Sequence, residues 1–133
     1  MSQYRETLIE KAEKNILVVD SSQTNLVLLE AILSTEHYFV KTACSRRTAL
    51  KIMLRWKPDM IIIDLLMPGL NEGLQFFNLI KKDDNHNKAK IVIVSALRDP
   101  GIINKVVSEG AAAYIFKPVD MEKVIEKVNK IIG

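Results

Sequence analysis

Four apolar runs in this chain each close on a polar side chain able to do chemistry: ILVVD on Asp20, MIIID on Asp64, IVIVS on Ser95 and AYIFKP on Lys117. Val- and Ile-rich runs this short, bounded by turn residues, read as strands buried on both faces, and such strands belong to parallel sheets. A parallel α/β sheet binds its ligand at the carboxyl ends of its strands, beside the point where strand order reverses. Two carboxylates, a hydroxyl and an ammonium are therefore expected at one edge of one sheet.

Helical patterns fill the spaces between these runs. Residues 1–14 are charged, with Tyr4, Leu8 and Ala12 at helical spacing, and read as a linker or a short leading helix ahead of a domain spanning 15–133. After the first strand, Asn15 to Asp20, Ser22 or Ser21 caps a helix that places Leu26, Leu29 and Leu33 on one face. Tyr38 to Cys44 reads as a second strand, and Ser45 caps a helix through Arg55 that Pro58 ends. Pro68-Gly69 marks a turn just past Asp64, and a helix with Leu74, Phe77 and Leu79 or Ile80 facing inward runs on to Lys82. Ile91 to Ser95 forms the fourth strand, Asp99 or Pro100 opens a helix that Gly110 caps, and Ala111 to Phe116 forms the fifth strand. Asp120 caps a last helix with a stripe of Val124, Val128 and Ile131 or Ile132. Five strands alternating with five helices give βα repeats, whose right-handed crossovers place helices on both faces of a parallel sheet.

Composition narrows the class. At 133 residues, 48% apolar and 26% charged, the chain fits one soluble domain with one core. The net charge of +3 is mild and its basic residues look dispersed, so direct nucleic-acid binding is not expected. Cys44 is the sole cysteine, which excludes an internal disulfide, suits a cytoplasmic location and leaves the thiol to pack as a small apolar group. No stretch is apolar enough to span a bilayer, and no membrane association is expected.

VVDSSQTN, IIIDLLMPG, IVIVSAL and GAAAYIFKPVD resemble, in order and spacing, the receiver domain of two-component response regulators over roughly residues 15 to 132. The resemblance implies a flavodoxin-like, doubly wound five-stranded parallel sheet of order 2-1-3-4-5. It implies Asp64 as phosphoacceptor, Asp20 as an acidic residue of the metal site, Ser95 as switch hydroxyl and Lys117 as the lysine that contacts the phosphoryl group. Tyr114 takes the place of the aromatic switch residue, and Lys117-Pro118 that of a cis bond. The implied cofactor is Mg²⁺, held by Asp20, Asp64 and the backbone carbonyl of Leu66. The implied partners are a histidine kinase or phosphotransfer protein, and a downstream protein or fused output domain. The partner face that the resemblance implies is the fourth helix, fifth strand and fifth helix. The chain ends with that helix, so it is expected to be a stand-alone receiver or part of a longer protein. Beyond self-phosphotransfer and autodephosphorylation, no enzyme activity is expected.

Two departures bear on this reading. Where the family has two adjacent acids, this chain has Asp20-Ser21, and a hydroxyl is a much poorer ligand than a carboxylate for a hard divalent ion. LNEG after Pro68-Gly69 is one residue longer than usual. Leu66 and Leu97 would flank the site with apolar side chains unable to orient a water, which implies slow loss of any phosphate gained. The alternative is an atypical receiver acting as a phosphorylation-independent docking module. A flavin- or nucleotide-binding reading lacks a Gly-rich phosphate loop.

Overall fold

The computed structural model describes residues 14–133, so the leading segment, Lys14 apart, lies outside the described residues. Five strands alternate with five helices: β1 Asn15–Val19, α1 Gln23–Thr35, β2 Phe39–Ala43, α2 Arg46–Met53, β3 Met60–Ile63, α3 Leu70–Lys82, β4 Lys90–Ser95, α4 Pro100–Ser108, β5 Ala113–Phe116 and α5 Met121–Ile132. All strand pairs are parallel, in the order β2-β1-β3-β4-β5.

The unbroken apolar runs conceal a two-sided division of labour. Successive strand side chains point to opposite faces. Ile16, Val18, Met60, Ile62, Val92 and Val94 accordingly pack on one face, against Leu26, Leu29 and Leu33 of α1 and Val124 and Val128 of α5. Leu17, Val19, Ile61, Ile63, Ile91 and Ile93 pack on the other, against α2, α3 and Val106 of α4. β2 and β5 are the sheet edges. Cys44 lies just past the end of β2 and is exposed, because the inward position at that strand end belongs to Ala43, so it does not pack as expected.

Local signals set the helix starts. Ser22, Ser45, Asp99 and Asp120 each accept a hydrogen bond from the first turn of the following helix, satisfying amides that would otherwise lack a partner. Gly110, with φ of 112°, follows α4 in a conformation that costs a Cβ-bearing residue. In α3 Phe76, Phe77 and Ile80 are buried, Leu74 packs partly buried against the same core, and Leu79 is exposed. Both Lys117-Pro118 and Met67-Pro68 are cis.

Gly73 ties α3 to the chemistry-bearing end of β3. A Cβ there would sit 1.8 Å from the carbonyl oxygen of Leu65, the residue after Asp64. Overpacking of this kind costs about 1–3 kcal/mol. Gly73→Ala is expected to lose at least that much in urea unfolding and to shift the amide resonances of residues 64–67, whereas an unchanged midpoint would show that α3 does not lie this close.

Candidate functional site

Register brings the two carboxylates together. Val19 pairs with Ile63, so Asp20 and Asp64 leave adjacent strands side by side, and the Asp64 amide donates to the Val19 carbonyl at 3.0 Å. Both are buried, at 2% and 6% exposure. Asp20 Oδ1 accepts from the Ser22 amide at 2.8 Å and Oδ2 from Asn25 Nδ2 at 3.3 Å, which fixes the carboxylate at the N-terminus of α1, where the helix dipole favours negative charge. Asp64 Oδ1 accepts from the Leu66 amide at 2.9 Å.

Lys117 arrives from the end of β5. Its Nζ lies 2.6 Å from Asp64 Oδ2 and 2.8 Å from Asp20 Oδ2, so one ammonium serves both acids. Ser95 closes β4, the strand between those that lead to Asp64 and Lys117, and is fully buried. Its carbonyl accepts from the Lys117 amide at 3.0 Å and its Oγ from the Leu97 amide at 3.2 Å. Tyr114 packs against the core, and its hydroxyl donates to the Leu97 carbonyl at 2.7 Å.

Burial pulls the Lys117 ammonium toward losing its proton, yet hydrogen bonds and charge attraction from Asp20 and Asp64 outweigh it and hold the pKa above the ordinary lysine value. The stability this adds is therefore complete below the unfolded lysine pKa of about 10.4 and is lost only as pH rises through the higher folded value. Burial also raises the Tyr114 phenol, with the Asp64 charge acting in the same direction.

This geometry sits on a chain whose residues 16–129 match the response regulator receiver domain. The chain belongs to that family. Among curated relatives it is 34% identical over 116 residues to the response regulator PleD of Caulobacter vibrioides, covering 87% of this chain and 25% of PleD. It is 30% identical over 119 residues to the chemotaxis protein CheY of Thermotoga maritima, covering 89% of this chain and 97% of CheY. The chain thus spans about a quarter of the first relative and nearly all of the second. A solved response regulator from Thermotoga maritima superposes with a TM-score of 0.80 at 27% identity, covering 90% of this chain and 97% of that one.

Receiver domains generally bind Mg²⁺. The donors here meet the minimum for that ion, which is commonly held by one or two carboxylates and keeps several waters. Asp20 and Asp64 are the carboxylates that could hold it. Ser21, exposed beside Asp20, brings no third carboxylate.

Two contributors to this receiver escaped the sequence reading. Asn25, five residues after Asp20, orients that carboxylate; its signal was a polar side chain in the first turn of a helix that starts beside an acid. Arg98 donates from Nη2 to the Lys117 carbonyl at 3.2 Å and lies 4.3 Å from the Phe116 ring centroid, a contact for which the sequence holds no local sign.

Removing one member of a buried charge cluster costs about 3–5 kcal/mol, because its partners stay buried and uncompensated. Lys117→Met is expected to lose roughly that at neutral pH by urea unfolding. The loss should shrink on adding Asp64→Asn. Unaltered stability would mean the three charges are not coupled.

Proposed function

We propose that this receiver accepts a phosphoryl group on Asp64 from a histidine kinase or phosphotransfer protein and thereby alters a partner-binding face formed by α4, β5 and α5. The observation that carries the reading is the shared ammonium: Lys117 Nζ within 2.8 Å of both buried carboxylates. An Asp64 oxygen attacks the phosphorus, an O–P bond forms, the P–N bond to the donor imidazole breaks, and the leaving nitrogen takes a proton. The Lys117 ammonium then turns from the carboxylate to a phosphoryl oxygen, and the Ser95 hydroxyl donates to another, both as charge-assisted hydrogen bonds. When bound, Mg²⁺ would neutralise the charge that develops on the transferring oxygens. Asp20, held by the Ser22 amide and Asn25, keeps its charge aimed at the same point.

Ser95 and Tyr114 are the proposed switch. A shift of the Ser95 hydroxyl toward phosphate releases the Leu97 amide that it now accepts from, and the Leu97 carbonyl is the acceptor of the Tyr114 hydroxyl. Tyr114 is already packed inward, so the switch reaches it through the Leu97 segment.

A second reading, a receiver that docks without phosphate, is favoured by one observation: Ser21 stands where a second acid would complete the metal site. Incubation with Mg²⁺ and acetyl phosphate separates the two. The mass of one phosphoryl group should add to the protein and be absent in Asp64→Asn, and the adduct should persist for minutes, since the side chains of Leu66 and Leu97 cannot orient water. No addition even at high Mg²⁺ supports the docking module. Ser21→Asp should tighten Mg²⁺ binding about tenfold or more, roughly 1.4 kcal/mol by calorimetry; no gain would place the metal elsewhere.

A further inference from the structure

Basic residues concentrate in one acid-free stretch of the chain, and folding puts several of them on one helix and its end. Six of the 19 basic residues, Lys41, Arg46, Arg47, Lys51, Arg55 and Lys57, fall between Glu36 and Asp59 with no acid among them, while the other 13 are outnumbered by 16 acids. Helical spacing places Arg47 and Lys51 one turn apart, and Arg55 follows just beyond the helix. All three are exposed, and among the described residues none has a carboxylate within ion-pair distance. Arg46, by contrast, is held by Glu72 at 3.5 Å and Gln75 at 3.1 Å.

Beside these cations Leu54 is 83% exposed. A lone exposed leucine means little. This one lines a groove of about 420 Å³ with Leu50 and Met53, rimmed by Arg47 and Lys51 and bounded on the other side by Asp83 and His86. That side is anchored: His86 Nδ1 pairs with Asp83 Oδ2 at 2.8 Å and its Nε2 lies 3.1 Å from the Met53 carbonyl.

We propose that this groove docks an acidic amphipathic helix of a partner protein, with the apolar stripe of the helix on Leu50 and Leu54 and its carboxylates facing Arg47 and Lys51. Charge and shape together select that occupant. A nucleic acid would use the cations through its phosphates but has little to offer an apolar slot. A membrane takes up several projecting apolar side chains, whereas here Leu54 projects beside a partly buried Leu50 and a buried Met53. An acidic helix supplies both an apolar ridge and negative charge. No residue of the groove belongs to the Asp20–Asp64–Lys117 cluster or to α4, β5 or α5, so the inference holds or fails independently of the phosphoacceptor reading.

The test is an amide-resonance titration of the whole chain with a synthetic helical peptide of about four turns, Leu along one face and Glu elsewhere. Three controls accompany it: the same peptide with Ser for every Leu, a duplex DNA, and phosphatidylglycerol vesicles. Saturable shifts are expected at Arg47, Lys51, Leu54 and His86. Affinity should fall about tenfold or more in Leu54→Ser, in Arg47→Glu with Lys51→Glu, and for the Ser peptide, all changes at exposed positions or in the ligand. Equal binding by the Ser peptide, DNA or vesicles would reduce the face to plain charge attraction and overturn the proposal. So would indifference to the variants, shifts confined to other elements, or no binding of the Leu/Glu peptide.

Discussion

One ammonium shared by two buried carboxylates organises the chemical end of this receiver. Two like charges about 4 Å apart repel by roughly 4 kcal/mol at an effective dielectric near 20, so side-by-side acids at the ends of β1 and β3 need a cation between them. Lys117 supplies it from β5, with β4 intervening. Strands lie about 4.8 Å apart, so the charge must cross the end of β4, which a flexible four-carbon stem can do. Ser95 closes that intervening strand, and its carbonyl holds the Lys117 amide. The sheet order, the lysine and the serine are thus parts of one geometric solution.

The same loops lead away from the site. Leu97 accepts the Tyr114 hydroxyl, and Arg98 clasps the Lys117 carbonyl while lying over Phe116, which is 41% exposed. The path from the carboxylates to the surface of β5 is therefore only a few residues long. Under the proposed function, reversing a two-state population from 1:99 to 99:1 requires about 5.5 kcal/mol of differential stabilisation. Hydrogen bonds from Lys117 and Ser95 to a phosphoryl group are the interactions available to supply it.

Much of this architecture was legible from local signals. Ser45 and Asp120 cap the helices they were expected to cap, because capping is a contact within one turn. Asp20, Asp64 and Lys117 were legible because an apolar run that closes on a charged group leaves little doubt which end of the strand is polar. Strand order was not, since alternation of strands and helices is compatible with several orders and only the family resemblance supplied one. Nor was the partition of each apolar run between two core layers, because runs buried on both faces lose the period-two pattern that would show it. Phe76 was not foreseen, and Leu79 and Ile80 were left as alternatives of which Ile80 is the buried one, because α3 is apolar around more than one stripe. The cationic face of α2 was missed for a different reason: adjacency in sequence underestimates residues that the helical repeat stacks one turn apart.

The direct measure of the central interaction is the titration of the Lys117 ammonium, followed by nitrogen resonance in lysine-labelled protein. Burial alone drives a lysine pKa down, and only paired carboxylates drive it up, so the sign of the shift decides. A Lys117 that keeps its proton above the ordinary lysine range, and falls back when Asp20 and Asp64 are both changed to asparagine, is the predicted result. A Lys117 that titrates at or below that range in the unaltered protein would contradict the account.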